Sequence, residues 1–342
     1  MSRAAVAAFP RSARGNPYCD LLYRSLAARG VKVAASAELS PRWLLRQVRN
    51  VKVLHLHWPE LYYRSGGQPT VRSVTAFVAA LLLARLLRYR VVWTVHNALP
   101  HERHAVDRAL RWLLVRSARL VVHAEAARAA LPQGRRRAAV VPHGHYIGCY
   151  PDALSAADAR RILGLATTDR VFICFGQLRA YKGVGALLEA FAGLPGPRLR
   201  LVIAGQPATD ADAEIVRTAA RRDTRVHAHL GFVPDSHVQR FLKAADFAVL
   251  PYREVLTSGG ALLALSFSRP VVVPRRGCLV ELEHEGCAIG YDPDAPDGLR
   301  VALAAAAGVT DLEPWRQRAA AAANRRAWGP IAEAYARIYR GG

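Results

Sequence analysis

The segment FGQLRAYKGV, residues 175–184, places two glycines and two cations where an apolar strand pattern changes to a helical one. A helix N-terminus exposes unpaired backbone N–H groups and a partial positive charge, so it attracts anions. Gly176 and Gly183 let the backbone approach a ligand closely, while Arg179 and Lys182 can reach two sides of one diphosphate. The segment therefore predicts a diphosphate site, and a solvated basic turn is the simpler alternative.

A second helix start of the same kind follows the apolar run FAVLP, residues 247–251. Thr257, Ser258 and Gly259 stand where this next helix should begin, again with unpaired N–H groups. Two helix N-termini and two cations can hold a nucleotide diphosphate without a metal ion.

Histidines and a carboxylate mark the end of a strand in the first half of the chain. In VLHLHWPE, residues 53–60, His55 and His57 share one strand face because side chains alternate along a strand. Trp58 and Glu60 come just beyond the strand end.

A neighbouring strand carries a similar set of residues. TVHNALPHE, residues 94–102, puts His96 and Asn97 at the strand end and His101 and Glu102 in the following loop. Because parallel strands end at one edge of a sheet, we expect both sets to face the same ligand.

Two patterns resemble metal sites. The pair His55 and His57 lacks a third ligand at a convincing spacing, and we interpret it as a pair of hydrogen-bonded strand histidines. Asp210 and Asp212 of the DAD sequence stand at a predicted helix start, where acids favour the helix dipole, so we interpret them as capping residues. We expect no metal and no cofactor.

The net charge of +22 is concentrated in the first half of the chain. Residues 1–150 contain 24 Arg or Lys and 6 Asp or Glu, whereas residues 151–342 contain 24 and 20. This imbalance predicts an anionic partner or surface for the first half, and a GC-rich genome would explain only the preference for Arg over Lys. No nucleic-acid-binding module is recognisable among the basic residues, so we expect no nucleic-acid partner. Five scattered cysteines without a Cys-x-x-Cys pair indicate a reducing cytoplasm.

The stretch of residues 71–90 is the most apolar helical pattern. Its uncharged core, residues 73–84, falls short of the roughly 20 residues that span a bilayer. We expect a buried helix, with in-plane membrane contact, aided by Arg85, Arg88 and Arg90, as the alternative.

Short apolar runs alternate with helical patterns along the chain, which predicts an α/β protein with two Rossmann-like, doubly wound parallel-sheet domains and a cleft between them. The predicted strands lie near residues 3–9, 31–35, 51–57, 90–96, 119–123, 138–142, 170–175, 199–204, 225–229, 247–251 and 270–274. The turn-rich segment 141–151 predicts the linker. The expected divisions are 1–148, 149–325 and a C-terminal helix, 326–342, that could pack back on the first domain.

The chain resembles the GT-B nucleotide-sugar glycosyltransferases, more narrowly the xanthan-type β-mannosyltransferases and more distantly the family-4 glycosyltransferases. The resemblance rests on ordered motifs over most of the chain: NPYCDLLY (16–23), VLHLHWPE, TVHNALPHE, HGHY (143–146), FGQLRAYKGV, GQPAT (205–209), GFVPD (231–235) and residues 250–274. It implies a GT-B fold, with an acceptor domain followed by a nucleotide-sugar domain.

The resemblance also implies roles for particular residues. A histidine placed like His96 touches the donor sugar, and Glu254 matches the first of two glutamates that retaining relatives carry eight residues apart. Leu262 or Leu263 occupies the position of the second glutamate. In those relatives the second glutamate commonly binds the donor ribose, so this contact is missing or replaced here. The same absence is part of the xanthan-type pattern, which is inverting.

We assign the remaining site residues on this basis. The donor nucleoside and sugar are expected at Gly205, Phe232, Val233 and Glu254, and the acceptor side at Asn16, His57, Trp58, Asn97 and His101. Inverting transfer needs a base for the acceptor hydroxyl, and the candidates are Glu102, slightly favoured, and Glu60. A helix cap or a salt bridge is the alternative role for each glutamate.

The implied activity is metal-independent transfer of a sugar from GDP-mannose, or from a UDP-sugar, to a lipid-linked glycan in exopolysaccharide or cell-envelope assembly. A soluble natural-product acceptor, a nucleotide-sugar epimerase and a basic nucleic-acid-binding protein are the alternatives. We expect a cytoplasmic protein in peripheral contact with the anionic inner face of the plasma membrane.

Overall fold

The computed structural model describes residues 5–13, 15–34, 38–97, 104–131 and 138–341. The chain divides into two compact units, the first formed by residues 1–144 with 327–342 and the second by residues 145–326. Each unit contains a six-stranded sheet in which all neighbouring strands are parallel. The prediction of two doubly wound parallel-sheet α/β domains is confirmed.

The first unit alternates strands and helices. Its strands are β1 (Ala5–Phe9), β2 (Lys32–Ala34), β3 (Val53–Leu56), β4 (Arg64–Ser65), β5 (Gln68–Pro69), β6 (Arg90–Thr94), β7 (Arg119–Val122) and β8 (Ala138–Val140). Its helices are α1 (Tyr18–Ala27), α2 (Pro41–Gln47), α3 (Glu60–Tyr63), α4 (Val71–Leu86), α5 (Ala105–Ser117), α6 (Glu125–Ala129) and, from the end of the chain, α15 (Trp328–Arg340). The sheet order is β2-β1-β3-β6-β7-β8, and β4 and β5 form a small hairpin.

The second unit continues the alternation. Its strands are β9 (Arg170–Phe175), β10 (Leu199–Gly205), β11 (Val226–Leu230), β12 (Phe247–Val249), β13 (Val271–Pro274) and β14 (Ala288–Tyr291). Its helices are α7 (Ala156–Ile162), α8 (Val184–Ala192), α9 (Asp210–Arg222), α10 (Val238–Ala244), α11 (Gly259–Ser266), α12 (Val280–His284), α13 (Gly298–Ala307) and α14 (Glu313–Asn324). The sheet order is β11-β10-β9-β12-β13-β14.

The C-terminal helix α15 completes the core of the first unit. Its buried side chains recur every three or four residues, which places Trp328, Ile331, Tyr335 and Tyr339 on one face. That face packs with α1 over the sheet. The residues that follow the second unit in sequence therefore help to build the first.

The strand order defines where each sheet should bind a ligand. In the first unit the chain runs from β1 to one edge and returns to β3 on the other side, so the order reverses between β1 and β3. In the second unit the reversal lies between β9 and β12. Ligands of doubly wound sheets bind beyond the carboxyl ends of the strands at these reversals.

Two features of the fold depart from the sequence predictions or refine them. Strand β14 was not predicted, because its run AIGY is short and contains a glycine. The prediction of a helix cap at the DAD sequence is confirmed. The Thr209 side chain accepts a hydrogen bond from the backbone N–H of Asp212, and the Asp212 carboxylate accepts one from the N–H of Thr209.

Candidate functional site

The loops that leave three adjacent strands of the second unit are tied together. The loop after β9 is joined to the loop after β10, since the N–H of Leu178 donates to the Gln206 carbonyl and the N–H of Ala208 donates to the Leu178 carbonyl, both at 2.8 Å. On the other side of the loop after β9, the N–H of Arg253, which lies in the loop after β12, donates to the Tyr181 carbonyl at 2.8 Å. The turn with the two cations is therefore held at the strand-order reversal.

Two glycines are needed for this close approach. Gly205 has φ +143°, and a Cβ there would overlap the carbonyl oxygen of Gly176. Gly183 has φ +68°, and a Cβ there would overlap the carbonyl oxygen of Pro251. Any side chain at either position would therefore push apart the loops that surround Arg179.

The two cations of the turn have no acidic partner in the part of the chain that the structure describes. Within the described residues, neither Arg179 nor Lys182 forms an ion pair, and the Nε of Arg179 is buried without a hydrogen-bond partner. The Lys182 ammonium lies 5.8 Å from the ring centroid of Tyr252. Desolvation lowers the pKa of Lys182, and the nearby Arg179 adds to that effect. Half-buried cations of this kind are stabilised by an anionic ligand.

The start of α11 lies in the next loop of the same edge. Ser258 is buried, and its hydroxyl accepts a hydrogen bond from the N–H of Ala261 at 3.0 Å. This cap uses the Ser258 side chain, so the backbone at Thr257, Ser258 and Gly259 is what this segment can offer to an anion.

Three of the four residues assigned to the donor nucleoside and sugar, Gly205, Phe232 and Val233, lie at the carboxyl ends of β10 and β11. The N–H of Gly231 donates to the Gly205 carbonyl at 3.0 Å, which brings the two loops together. Beside them lies a groove of about 400 Å³ whose lining includes Gln206 and Arg217. Phe232 is 72% exposed. Val233 is partly buried next to Phe232, and Glu254 is exposed in the loop after β12.

The first unit has a small cavity of about 20 Å³, room for roughly one water molecule, beyond the ends of β3 and β6. It brings together five of the predicted residues, His57, Trp58, Glu60, His96 and Asn97. The other lining residues are Pro59, Tyr63, Trp93, Asp107, Arg111 and Leu114. His101 and Glu102 lie outside the described residues.

Glu60 is the described carboxylate of residues 1–150 best placed for proton transfer. Desolvation raises its pKa, and its own backbone N–H and Arg64 offset only part of that shift. A raised pKa makes a carboxylate a better base near neutral pH.

The other described carboxylates of the first half have structural roles or are exposed. Asp107 also lines the cavity, but it accepts hydrogen bonds from Tyr63 and from Arg64 at 2.8 and 2.9 Å. Burial raises the pKa of Asp107, and the hydrogen bonds outweigh burial and hold it below the ordinary value. Glu125 pairs with Arg128 at 2.6 Å. Asp20 and Glu38 are exposed.

The two strand histidines are hydrogen-bonded, as the sequence predicted. Nδ1 of His55 lies 2.8 Å and Nε2 of His57 lies 2.5 Å from the hydroxyl of Tyr23. The ring of Trp58 stacks on His96 with 4.5 Å between centroids. Desolvation lowers the pKa of His55, of His57 and of His96, so all three are neutral near pH 7.

Asn16 has a local role in the structure. Its side-chain oxygen accepts a hydrogen bond from the N–H of Tyr18 at 3.1 Å, at the start of α1. It lies in the loop after β1, on the same sheet edge as the cavity, but it is not among the residues that line it.

Sequence reasoning missed Arg111 and the tyrosines around the histidines. Arg111 lines the cavity, its Nε is buried without a hydrogen-bond partner among the described residues, and desolvation lowers its pKa. The signal in the sequence that could have indicated Arg111 was the helical spacing of Asp107, Arg111 and Leu114, which places the three side chains on one face of a helix. Nothing local in the sequence links Tyr335 or Tyr339 to a site some 240 residues earlier.

No helix among the described residues is long and apolar enough to cross a membrane. Helix α4 buries Phe77, Ala80, Leu81 and Ala84 and leaves its opposite face exposed.

Comparisons with known proteins agree with this architecture. Residues 169–307 match the family described as Glycosyl transferases group 1. The crystal structure of Anabaena Alr3699/HepE in complex with UDP aligns with a TM-score of 0.75 at 17% identity over 100% of both chains. That of WaaG, a glycosyltransferase involved in lipopolysaccharide biosynthesis, aligns with a TM-score of 0.68 at 16% identity over 99% of this chain and 100% of that chain. The fold is thus that of the GT-B glycosyltransferases.

Curated relatives are similar in sequence as well. Two proteins of Xanthomonas campestris pv. campestris, both named GDP-mannose:glycolipid 4-beta-D-mannosyltransferase, are 34% and 33% identical over 269 residues, which is 77% of this chain and 71% of each relative. The chain belongs to the same glycosyltransferase family as these two proteins.

We expect that Arg179→Ala and Lys182→Ala each weaken the binding of a nucleoside diphosphate at least about tenfold, since each removes a charge-assisted hydrogen bond from a partly desolvated site. Isothermal titration of each variant with GDP and with UDP measures this. Arg161→Ala is the matched control, because Arg161 is exposed and pairs with Asp158. Equal dissociation constants for Lys182→Ala and Arg161→Ala would place the diphosphate elsewhere.

Proposed function

We propose that this glycosyltransferase transfers a mannosyl residue from GDP-mannose to a glycolipid acceptor. The observation that carries the proposal is the 34% identity, over 71% of its length, to a relative whose name specifies that donor and that class of acceptor. A UDP-sugar is the second candidate donor, because the structural neighbour from Anabaena was solved with UDP.

The second unit would bind the donor through its diphosphate. Arg179 and Lys182 supply two cations without acidic partners among the described residues, and the backbone at the start of α11 supplies N–H groups. Charge that develops on the leaving diphosphate would be stabilised by these groups, which are already desolvated and fixed before the reaction. We therefore propose transfer without a metal ion.

The first unit would supply the base that accepts the proton of the acceptor hydroxyl. Glu60 fits this role because it lines the cavity beside His96 and Asn97 and because desolvation raises its pKa. Glu102, favoured slightly from sequence, remains the second candidate. The acceptor side of the proposal comprises Asn16, His57, Trp58, Asn97 and His101.

The donor and acceptor are tested by radioactive transfer. The purified chain is incubated with GDP-[³H]mannose and a lipid extract of the cells that encode it, in the presence of EDTA. We expect radioactivity in the organic phase, dependent on both protein and lipid, with at least about tenfold less from tritiated UDP-glucose. Transfer only from the UDP-sugar would contradict the donor, label only in water-soluble products would contradict the acceptor, and activity abolished by EDTA would contradict metal independence.

We expect Glu60→Gln to lower kcat by roughly 10²–10⁴-fold, the usual effect of a general base, with donor affinity within about twofold of the wild type. Gln keeps the shape of the side chain and removes its basicity. Rates from the transfer assay and GDP titration provide the two measurements. The comparison variant is Glu125→Gln, whose exposed carboxylate pairs with Arg128. Unchanged kcat for Glu60→Gln together with loss of kcat for Glu102→Gln would transfer the role to Glu102.

We further propose that α4 makes the peripheral contact with the anionic membrane at the cytoplasmic face. Its outward face carries Val71, Leu82 and Leu86, which are 84%, 56% and 77% exposed. Arg72 and Arg85 are exposed beside this stripe, and the helix contains no acidic residue. Exposed apolar side chains flanked by arginines suit the boundary between lipid headgroups and acyl chains.

Replacing Leu82 and Leu86 together with Asp should reduce the binding to vesicles that contain anionic phosphatidylglycerol at least about tenfold, because it removes apolar burial and adds repulsion. Co-sedimentation with vesicles measures the binding. Val301→Asp is the control for an exposed apolar residue, 59% exposed on α13 of the second unit. Retention of the Leu82/Leu86 double variant on vesicles as strong as that of wild type would show that α4 is not the contact.

A further inference from the structure

The two aspartates of the DAD sequence have different roles in the structure. Asp212 belongs to the N-terminal cap of α9, where its Oδ2 accepts hydrogen bonds from the hydroxyl and the backbone N–H of Thr209 at 2.8 and 3.1 Å. Asp210, the first residue of α9, is exposed, and its side chain forms no hydrogen bond or ion pair with any residue that the structure describes. The hydrogen bonds of the cap therefore do not explain Asp210.

Asp210 lines the groove of about 400 Å³ beside Gly231, together with Arg217. The two charged residues are seven positions apart, which is close to two helical turns, so their side chains leave one face of α9 about 10.5 Å apart along its axis. Arg217 is exposed, and its Nη1 lies 3.8 Å from Oε2 of Glu214, beyond hydrogen-bonding distance. A carboxylate and a guanidinium therefore border the groove with no hydrogen-bond partner among the described residues.

The groove lies where the base of a donor nucleotide can reach. Strands β9, β10 and β11 are neighbours in one parallel sheet, so the turn with Arg179 and Lys182 and the groove lie at the same carboxyl edge. Neighbouring strands are about 4.8 Å apart, which puts the groove one to two strand spacings from the two cations. A nucleotide held there by its diphosphate can place its base in the groove. Phe232, which is 72% exposed and directly follows Gly231, offers an aromatic face to a flat ring.

The two charged side chains match two edges of guanine. The N1–H and N2–H₂ donors of guanine lie side by side and suit the two oxygens of a carboxylate, whereas O6 and N7 are paired acceptors that an arginine binds bidentately. Adenine presents an N6–H₂ donor in place of O6, so it would turn a donor towards the guanidinium. Uracil has a single ring and lacks a second pair of groups, so it cannot bind both side chains in this way.

We propose that Asp210 and Arg217 select guanine as the base of the donor. Asp210 accepts hydrogen bonds from N1–H and N2–H₂, and Arg217 donates to O6 and N7. The inference rests on the proposed function, in which the donor is GDP-mannose, and it assigns the choice of nucleotide to one face of α9. Both residues determine specificity without touching the reacting atoms, which lie on the far side of the diphosphate.

Titration calorimetry with GDP and inosine diphosphate tests Asp210, because hypoxanthine is guanine without the 2-amino group. We expect the wild-type protein to bind GDP about tenfold more tightly than inosine diphosphate, the effect of one hydrogen bond to a charged group. In Asp210→Ala we expect the GDP affinity to fall at least about tenfold and to equal that for inosine diphosphate within about twofold. The UDP affinity of this variant should stay within about twofold of the wild type.

The analogue 7-deaza-GDP, in which a C–H group replaces N7, tests Arg217 in the same way. The wild-type protein should bind it about tenfold more weakly than GDP, and Arg217→Ala should bind the two nucleotides equally. The control is Glu313→Ala, since Glu313 is the exposed first residue of α14 as Asp210 is of α9. It should keep the wild-type affinity for every nucleotide.

Equal affinity of the wild-type protein for GDP and inosine diphosphate would overturn the role of Asp210, as would a difference between them that persists in Asp210→Ala. Discrimination against 7-deaza-GDP that persists in Arg217→Ala would overturn the role of Arg217. The wild-type comparisons are decisive even if a variant does not fold. Failure of the proposed function is distinguishable, because the wild-type protein would then bind UDP more tightly than GDP, whereas failure of this inference alone leaves a preference for GDP that neither residue controls.

Discussion

Backbone segments that leave adjacent parallel strands must pass very close to one another at the carboxyl edge of the second sheet. The loop after β9 is hydrogen-bonded on one side to the loop after β10 and on the other to the loop after β12. Gly205 and Gly183 permit this, because a Cβ at either would overlap a carbonyl oxygen of the neighbouring loop. The site proposed for the donor depends on that contact, which presents Arg179, Lys182 and the start of α11 at the strand-order reversal.

The histidine cluster of the first unit and Arg179 of the second unit differ in their hydrogen bonding. In the first unit, the hydroxyls and imidazoles around His55 and His57 are hydrogen-bonded to one another, and both histidines stay neutral because desolvation lowers the pKa of each. In the second unit, Arg179 keeps a buried Nε without a partner among the described residues. Complete hydrogen bonding fixes the orientation of the side chains in a network. An unpaired buried cation is instead stabilised when a ligand of opposite charge binds. The proposed anion binding by Arg179 follows from this difference.

Much of the fold could be predicted from sequence, because apolar periodicity and turn residues are local properties. All eleven predicted strands are present, with ends shifted by at most two residues, and the interpretation of Asp212 as a cap is confirmed. The missed strand β14 is short and contains Gly290, so its apolar signal was weak. Within the candidate site, His57, Trp58, Glu60, His96 and Asn97 were predicted together because they follow neighbouring parallel strands. Arg111 was missed because its α5 position contributes to the cavity only after that helix has packed.

The sequence by itself determined the class of fold, the loops that carry cations and glycines, and the small set of carboxylates from which a base could come. These properties depend on residue type and on spacing within ten or so positions along the chain. Only the tertiary structure decided which of those groups have partners. In the folded chain Asp107 pairs with Arg64, and Glu60 lies desolvated at the cavity. The hydroxyl of Tyr335 lies 2.8 Å from that of Thr94, although the two residues are 241 positions apart in the sequence. The pKa and the tautomer of a side chain depend on burial and on hydrogen-bond partners, and packing of α15 supplies several of those partners from the far end of the chain.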